Sequence, residues 1–231
     1  MDADTFNGFP RQTFAFLRGL AANNTKAWFE AHRDDFDAYW MAPARACVEA
    51  LGPRLQKVAP GIQYEPKVNG SIFRVNRDVR FSRDKSPYKT TLDLWFRHGS
   101  RGGWNAPGFF VRITADSAGM GAGMHVFGKP ELDRFRRAVL DPRAGRALVK
   151  AIASVRGAGY EVEGATRKTV PRGFDAENER APLLLHEGLS TEFRGKPAIA
   201  QPAAFVDECA RRAAEMWPLG KWLLAEVAAP A

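Results

Sequence analysis

The strongest constraint on the fold is a change in hydrophobic periodicity between the ends and the middle of the chain. Residues 10–58 carry apolar side chains at helical spacing, as in the series Cys47, Leu51 and Leu55. The middle, residues 71–127, is instead rich in aromatic and β-branched side chains and is interrupted by glycine and proline, which predicts antiparallel strands. The predicted strands are 71–81, 90–97, 108–115 and 118–127.

Helical spacing returns in residues 130–228, together with short strand-like segments. The predicted helices there are 130–140, one that begins at 142 and ends at Gly157 or Gly159, 181–186 and 203–217, the last followed by 219–227. The predicted short strands lie within 160–170 and 189–193. Because helices and antiparallel strands are segregated and no long linker separates them, we expect a single α+β domain over residues 1–231. Its architecture would be a curved antiparallel β-sheet flanked by N-terminal and C-terminal helices.

The composition is that of an ordinary soluble globular protein, with 45% apolar and 26% charged residues. The start of the chain, with Asp2 and Asp4, lacks the pattern of a signal peptide, and no stretch approaches the roughly 20 apolar residues of a membrane span. Cys47 and Cys209 lie far apart within apolar helical patterns, which favours buried structural thiols. We therefore expect a cytoplasmic protein that does not associate with membranes.

The sequence contains no local motif for a metal, a nucleotide or another cofactor. The four histidines, His32, His98, His125 and His186, have no metal-ligand spacing, so we predict no metal site. The glycines of residues 119–123 do not fit a dinucleotide-binding fingerprint and are better explained by crowding in a tightly curved strand. No cofactor is predicted.

Positive charge is concentrated in one segment of the chain. The net charge is +8, and the stretch from Lys67 to Arg101 holds nine basic and three acidic residues, a local charge of +6. Such a patch attracts phosphates, nucleic acid or acidic partners. Its densest part is residues 74–91, where arginine stands at every third position, at Arg74, Arg77, Arg80 and Arg83.

Strand-like alternation within this run would put Arg77 on an apolar face. The odd-numbered side chains from 73 to 81 are apolar except for Arg77, whereas Arg74 and Arg80 share the polar face. A guanidinium on an inner face must be paired or hydrogen-bonded, because an unpaired buried charge costs several kcal/mol. A bulge near Asn76 would instead let all four arginines converge on one rim, and in either case Arg77 is predicted to be a fixed group.

The run predicts a binding site for an anionic ligand, such as a phosphate-bearing small molecule or a nucleic acid end. Arginine binds phosphate or carboxylate oxygens two at a time, and lysine and hydroxyl groups add further donors. The Ser86-Pro87 step favours an extended or turn conformation that would present Lys85 and Tyr88 on a defined loop. The predicted ligand-binding residues are Arg74, Arg77, Arg80, Lys85, Ser86, Tyr88 and Lys89.

Other interpretations of the run stay open. A hydrolase-type enzyme would use Asp78 or Asp84 as base and Tyr88 as acid, with the arginines stabilising developing negative charge. A non-catalytic scaffold or interaction domain would use the run only as a structural ion-pair network. Nucleic-acid binding is a narrower form of the anion hypothesis, because nearby aromatic rings could stack on bases, although such rings are more often core. These rings are Trp95, Phe96, Trp104, Phe109 and Phe110.

Three motifs carry a family resemblance. They are Asn23-Asn24-x-x-x-Trp28-Phe29, Arg77-Asp-Val-Arg-Phe-Ser-Arg-Asp-Lys-Ser-Pro-Tyr-Lys-Thr90, and Pro171-Arg-Gly-Phe-Asp175 followed by Leu183-Leu184. The chain resembles, from about Phe9 to Trp217, a bacterial and fungal family known as domain of unknown function 2461. The resemblance implies a single α+β domain and no particular activity. After Asp175 the family pattern of an acidic residue followed by His-Pro is replaced by Ala-Glu-Asn-Glu, so the resemblance implies no histidine function at that point.

Overall fold

The computed structural model describes residues 5–99 and 106–228, so Asp2, Asp4, Arg101 and Trp104 of the sequence predictions lie outside the described residues. The N-terminal part is helical, as predicted, and α4 continues through Pro53 to its end. Its elements are α1 (Arg11–Ala22), α2 (Lys26–Ala31), α3 (Arg33–Phe36), a π-helical turn (Asp37–Met41) and α4 (Ala42–Val58).

Capping side chains make the break between α1 and α2. Asn23 donates its side-chain amide to the carbonyl of Gly19 at 3.0 Å, which satisfies an acceptor at the end of α1. The hydroxyl of Thr25 accepts a hydrogen bond from the backbone N–H of Trp28 at 3.3 Å and so caps the start of α2. The residue between them, Asn24, is used by neither cap and is free for a contact elsewhere in the fold.

One antiparallel sheet of six strands occupies the middle of the described structure, in the order β1-β2-β3-β4-β6-β5. Strands β2, β3 and β4 confirm three of the four strands predicted for residues 71–127, and β6 extends the predicted strand 189–193 in both directions. The bounds are β1 (Ile62–Gln63), β2 (Leu92–His98), β3 (Gly108–Ile113), β4 (Ala118–Met124), β5 (Glu163–Ala165) and β6 (His186–Gly195).

The predicted strand over residues 71–81 is wrong. Its beginning does reach the sheet, through an isolated bridge between Ile72 and Leu94 and a 3.1 Å hydrogen bond from the N–H of Phe73 to the carbonyl of Asp93. Beyond Phe73 the chain leaves the sheet. The rest of the segment contains Asn76 and Asp78, residue types that are depleted in strands, and Asp78 there accepts hydrogen bonds from Arg80.

The C-terminal part contains three long helices and two 3-10 turns. Helices α5 and α6 confirm the predicted segments, and α7 passes through Pro218 as one helix where the sequence predicted a separate segment from residue 219. None of the described helices combines the length and the apolar composition needed to cross a membrane. The elements are α5 (Lys129–Leu140), α6 (Pro142–Gly157), 3-10 turns (Ala181–Leu185 and Pro197–Ala200) and α7 (Phe205–Glu226).

The sheet has an inner face against α4 and α7 and an outer face on the other side. Alternating side chains of β3 show the division, since Phe109 and Val111 are fully buried on the inner face while Arg112 points outward and is partly exposed. The ring of Phe109 lies 4.6 Å from that of Trp217 on α7. The helical layer therefore covers one face, and polar side chains of the strands are left to the other.

The glycines of β4 occupy outward positions, where the strand has no side chains of its own. A Cβ atom at Gly119 would clash with the carbonyl oxygen of Phe193 on β6, and one at Gly123 would clash with that of Leu189. Close approach of β6 to β4 thus requires glycine, which confirms the predicted crowding. Because Gly121 lies between them on the same face, three successive outward positions of β4 have no side chain of their own, and the ring of Phe110 covers the middle one.

Both cysteines are free thiols buried in the core, which confirms their predicted structural role. Cys47 belongs to α4 and Cys209 to α7, two helices that pack together. Burial raises the pKa of each thiol well above its ordinary value, because the thiolate would lose its hydration. Neither sulfur is therefore a reactive nucleophile at neutral pH.

Candidate functional site

Residues 74–89 form a hairpin-like arm, which we call the basic arm. Two backbone hydrogen bonds pair its stems, from the N–H of Lys89 to the carbonyl of Val75 at 2.7 Å and from the N–H of Arg77 to the carbonyl of Pro87 at 2.9 Å. Residues 78–86 form the tip between the stems. The arm thus has a defined shape although it is not a strand of the sheet.

The root of the basic arm is fastened to the N-terminal helices by Tyr88. The side-chain amide of Asn24 donates to the carbonyl of Tyr88 and its oxygen accepts from the N–H of Tyr88, both at 3.0 Å. The ring of Tyr88 stacks on that of Phe29 with 4.3 Å between centroids, and the residue is only 7% exposed. The Asn-Asn and Trp-Phe motif near the N-terminus and the central basic motif are therefore parts of one structure.

Arginines at the tip of the basic arm are paired with aspartates of the same arm. Arg80 forks onto Asp78, with Nε 2.9 Å from Oδ1 and Nη2 2.6 Å from Oδ2. Arg77 forms an ion pair with Asp84. Arg77 and Arg80 therefore each have a partner of their own, whereas Arg83 is exposed and has no ion-pair partner within 4.0 Å among the described residues. The pairing of Arg77 and Arg80 takes the place of the predicted convergence of the four arginines on one rim.

Lys85, Ser86 and Asp84 also make polar contacts within the arm. Asp84 accepts hydrogen bonds from the backbone N–H of Ser86 at 2.9 Å and from its hydroxyl at 2.6 Å. Lys85 donates its ammonium group to the carbonyl of Val79 at 2.9 Å. These contacts all lie within the loop. The tip therefore resembles the structural ion-pair network that the scaffold interpretation expects.

The prediction that Arg77 lies on an apolar face is confirmed in part. Val75 is buried and Arg77 and Val79 are partly exposed, whereas the even-numbered residues from 74 to 80 are exposed. The alternation ends at Phe81, which is 95% exposed, and the side chain of Arg77 is 30% exposed, so its face is not an interior one. Arg77 is nevertheless held by Asp84, as expected of a fixed group.

The pKa values of the tip aspartates are shifted away from those of useful general bases. Hydrogen bonds from Arg80 lower the pKa of Asp78 to about 2. The pKa of Asp84 is also well below its ordinary value, through hydrogen bonds from the hydroxyl of Ser86 and from Arg77. A general base works best with a pKa near the operating pH, so these carboxylates are poor bases at neutral pH. Tyr88, the proposed acid, has its ring packed against Phe29.

The base of the basic arm differs from the tip, because its cations are less well paired. Lys89 is half-buried with its ammonium nitrogen 5.0 Å from the centroid of the Phe73 ring. Its pKa is lowered chiefly by burial; the charge of Asp93 opposes this and the charges of Arg74 and Arg112 add to it. Within residues 5–99 and 106–228, neither Arg74 nor Lys89 has an ion-pair partner within 4.0 Å.

The outer face of the sheet holds a cleft with a volume of about 110 Å³, which we call the outer-face cleft. Two ion pairs stand in it, with Arg112 Nε 2.6 Å from Asp93 Oδ1 and Arg194 Nη2 2.7 Å from Glu192 Oε1. Arg112 and Asp93 are also the groups whose charges act on Lys89, so the cleft begins beside the base of the arm. Its other lining residues include Phe110, His125, Glu163 and Ser190.

Sequence reasoning did not identify the polar residues of the outer-face cleft as site residues. A signal was present, because Asp93 and Arg112 are charged residues that each stand between two apolar residues of a predicted strand. Alternation assigns both to the face that is not the core. A single sequence does not show, however, that β6 lies beside β4, and so the partners Glu192 and Arg194 could not be placed opposite them.

Three of the four histidines have a ring nitrogen within hydrogen-bond distance of a backbone carbonyl. The fourth, His125, lines the outer-face cleft. No group of three or more His, Cys, Asp or Glu within the described ranges has the geometry to hold a metal ion. The bonded nitrogens are His32 Nδ1 at 2.8 Å from Trp28 O, His98 Nε2 at 2.8 Å from Pro60 O, and His186 Nδ1 at 3.1 Å from Leu183 O.

The aromatic residues of the nucleic-acid hypothesis are mostly buried. Phe96 and Phe109 are fully buried, and Trp95 is 4% exposed. Phe110 is partly exposed and lines the outer-face cleft. Base stacking needs an accessible ring, so of these described residues Phe110 is the one that could provide it.

Comparison with known proteins gives a match to one family. The family model described as conserved hypothetical protein (DUF2461) matches residues 12–222, which include the three motifs of the sequence analysis. In the third of these motifs, Phe174 lies under the guanidinium of Arg136, 5.9 Å from ring centroid to Cζ. No curated protein matches the chain.

Proposed function

The chain belongs to the DUF2461 family of conserved hypothetical proteins, and on the geometry of its basic arm we propose that it binds an anionic, phosphate-bearing small molecule. The proposed site is at the base of the arm, where Lys89 is near enough to Arg74 and Arg112 for their charges to act on it. The observation that carries the proposal is the difference in pairing. Arg77 and Arg80 have aspartate partners, whereas Arg74 and Lys89 have no carboxylate within 4.0 Å in the described part of the chain.

An anion at this place would relieve an unfavourable charge arrangement. Burial of Lys89 removes water from its ammonium group, and Arg74 and Arg112 add like charge, so the cation is less stable there than in water. A phosphate group would return hydrogen-bond acceptors and opposite charge to all three side chains. Arg112 binds Asp93 through Nε, which leaves its two terminal nitrogens without a partner among the described residues.

The proposal narrows the ligand-binding set that the sequence suggested. Arg74 and Lys89 remain as ligand contacts, and Arg112 joins them. The other members of the set give the arm its shape in this proposal, because their polar groups or rings already have partners within the fold. These supporting residues are Arg77, Arg80, Lys85, Ser86 and Tyr88.

A non-catalytic scaffold is the second candidate function, and the closed ion-pair network of the tip supports it. On that view the cations stabilise the arm and have no ligand. The two candidates differ in what they expect of Lys89 and Arg74, since a scaffold gives these residues no role in binding a phosphate. No contact favours acid–base catalysis by Asp78 or Asp84.

The test is a titration of the purified protein with a phosphate monoester, glycerol 3-phosphate, followed by NMR and calorimetry. The double variant Arg74→Gln/Lys89→Gln should weaken binding by about tenfold or more, because it removes two unpaired cations. Lys85→Gln is the matched control, since Lys85 belongs to the same arm but bonds to the carbonyl of Val79. Its affinity should stay within about twofold of the wild type.

Two results would overturn the phosphate proposal. One is the absence of any binding to the wild-type protein at millimolar ligand. The other is equal loss of affinity in the double variant and in Lys85→Gln, which would indicate only general charge attraction. A 5′-phosphorylated single-stranded oligonucleotide serves as competitor. Stronger binding of the oligonucleotide, with the same dependence on Lys89, would identify a nucleic acid end as the ligand instead.

A cytoplasmic location belongs to the same proposal. Its support is that Cys47 and Cys209 are both free thiols, a state that a reducing compartment maintains. Fractionation of cells that express the full chain, with detection in the cytoplasmic fraction, would test it. Recovery of the protein in an oxidising compartment would contradict it.

A further inference from the structure

We propose that the outer-face cleft takes an amphoteric ligand, with an anionic group held between Arg112 and Arg194 and a protonated amine at Glu163. The inference rests on the proposed function, because the anionic group is the phosphate of that same ligand. It adds the chemical class of the ligand, an amine-bearing phosphate ester, and a second set of contacts. The contacts come from β3, β4, β5 and β6, beyond the basic arm.

The end of the cleft that would bind the anionic group has two arginines, which face each other across a glycine. In the sheet register, Gly119 of β4 pairs with Arg112 of β3 on one side and with Arg194 of β6 on the other. Their backbones are two strand spacings apart, about 10 Å, and Gly119 places no side chain between them. Two guanidinium groups on either side of an open floor suit an anion with several oxygens.

Each of these arginines is oriented by a carboxylate and still has free donors. Asp93 binds Nε of Arg112, and Glu192 binds Nη2 of Arg194. The terminal nitrogens of Arg112 and the Nε and Nη1 of Arg194 have no hydrogen-bond partner in residues 5–99 and 106–228. The carboxylates thus hold the arginines in place while the remaining N–H groups are available to a ligand.

The middle of the cleft is apolar. Phe110 pairs in register with Gly121, and its ring lies over that glycine so closely that a Cβ atom there would clash with the ring. The ring therefore occupies the place of the missing side chain and forms part of the cleft wall. A carbon chain between the two ends of a ligand would contact this ring. The volume of about 110 Å³ corresponds to a small ligand, since one water occupies about 30 Å³ of liquid.

The end of the cleft that would bind the protonated amine is lined by Glu163, Ser190 and His125. Glu163 pairs in register with Ser190, which in turn pairs with Gly123 at the other end of β4 from Gly119. These two positions of β4 are about 13 Å apart along the strand, and the long side chains reduce the gap that a ligand must span. Glu163 has no ion-pair partner within 4.0 Å in the described structure.

Charge balance along the cleft favours an amphoteric ligand over a plain anion. The pairs of Arg112 with Asp93 and of Arg194 with Glu192 are each neutral, and Lys89 adds positive charge beside the first of them. At the far end the carboxylate of Glu163 stands unpaired. Potentials of opposite sign at the two ends are matched by a molecule with opposite charges at its own two ends.

The test compares alkyl phosphates with ω-aminoalkyl phosphates of the same chain length, from two to five carbons, by NMR titration of the full chain. Wild-type protein should bind the best aminoalkyl phosphate about fivefold more tightly than its alkyl counterpart. Glu163→Gln should remove that preference and leave the affinity for the alkyl phosphate unchanged. Arg194→Gln should weaken both ligands. Glu161→Gln is the matched control, because Glu161 is an exposed carboxylate of the same segment that does not line the cleft.

The outcomes separate this inference from the proposal on which it rests. Equal affinity for the two ligand series at every chain length, with Lys89 still required, would overturn the amphoteric ligand and leave phosphate binding intact. A preference for the amine that persists in Glu163→Gln would overturn the assignment of Glu163. Failure of both series to bind would overturn both proposals. The unfolding temperature of each variant is measured as well. An unchanged temperature shows that a change in binding is not caused by loss of the fold.

Discussion

The side-chain amide of Asn24 brackets the backbone of Tyr88, 64 residues further along the chain, with two hydrogen bonds of 3.0 Å. The same Tyr88 stacks on Phe29, so a short N-terminal segment fixes the root of the basic arm. Position of the arm relative to the sheet is therefore set by the helices α1 and α2. Any function of Lys89, the next residue, depends on this attachment.

Asn24→Ala should loosen the arm. The change removes two hydrogen bonds and should lower the free energy of unfolding by about 2 kcal/mol, since a net hydrogen bond contributes about 1 kcal/mol. Asn23→Ala removes only an exposed bond to Gly19 and should have a smaller effect. The measurements are urea unfolding and limited proteolysis at residues 78–86. Identical cleavage rates in the two variants would contradict the role of Asn24.

Tyr88 should act through its ring and not through its hydroxyl. Tyr88→Ala should destabilise the protein by about 3 kcal/mol or more, because it leaves a cavity against Phe29. Tyr88→Phe should change stability by less than about 0.5 kcal/mol, since the ring and its stacking remain. Thermal unfolding measures both changes in stability, and phosphate titration of Tyr88→Phe measures whether the hydroxyl takes part in binding. A large loss of ligand binding in Tyr88→Phe would reinstate the hydroxyl as a site group.

The tip of the arm should respond to acid. The pKa of Asp78 is lowered to about 2 and that of Asp84 is lowered as well, so both stabilise the folded arm when ionised. Their contribution is fully present above the unfolded pKa, about 4, and is lost as the pH falls towards the folded values. The protection of residues 78–86 from hydrogen exchange, measured against the intrinsic rate at each pH, should therefore fall between pH 4 and pH 2.

The matched variant for the acid prediction is Asp78→Asn. It removes one titrating carboxylate from the tip. At pH 5 the corrected exchange rate of residues 78–86 should therefore be closer to the rate that the wild type shows in acid. The additional change in that rate on acidification should be smaller than in the wild type. Exchange in the wild type that does not depend on pH, after correction for the intrinsic rate, would show that the ion pairs contribute nothing to the order of the tip.

Phosphate binding should depend on the titration of Lys89. Burial lowers the pKa of Lys89 below the ordinary 10.5, and the residue attracts an anion only while it is protonated. Affinity for glycerol 3-phosphate should fall as the pH rises through the lowered pKa. Lys89→Arg keeps its charge to higher pH and should shift the fall in affinity upward. Coincident pH profiles for the two proteins would exclude Lys89 from the site.

The glycines of β4 should resist substitution. Gly119→Ala brings a Cβ atom against the carbonyl of Phe193 and should destabilise the protein by more than about 2 kcal/mol. Gly157→Ala is the control, because a Cβ atom there meets nothing and a helix gains about 0.5–1 kcal/mol from the exchange. Urea unfolding distinguishes them. Equal stability of Gly119→Ala and wild type would mean that β6 can move away from β4.

The strands were predictable wherever alternate side chains of a segment are buried in the apolar core. The pattern of β3 predicted a strand because Phe109 and Val111 alternate with Phe110 and Arg112, and both members of the first pair are fully buried. The segment 71–81 shows the opposite case. Its alternation looked similar, but the segment pairs with β2 only at Ile72 and Phe73, and its backbone then bonds to residues 87–89 of its own arm, which leaves Phe81 exposed.

The candidate site was predictable only in part. The cation-rich run identified the arm, and Arg74 and Lys89 were among the residues chosen from it. Which cations are free was not predictable, since Arg77 pairs with Asp84 seven residues away and not with its neighbour Asp78. Pairing depends on the path of the backbone through the tip, and the sequence does not specify that path.

The sequence by itself determined that both ends of the chain are helical and that its middle contains strands β2 to β4. It also determined that the two thiols are buried and which family the chain belongs to. Each of these depends on local periodicity or on contiguous motifs. Only the tertiary structure decided that Arg112 and Arg194 flank Gly119, and that Lys89 lies close enough to Arg112 to feel its charge while having no ion-pair partner within 4.0 Å among the described residues. The physical reason is that strand order and ion pairing are long-range properties. They follow from how the whole core packs, and no local pattern of residues encodes them.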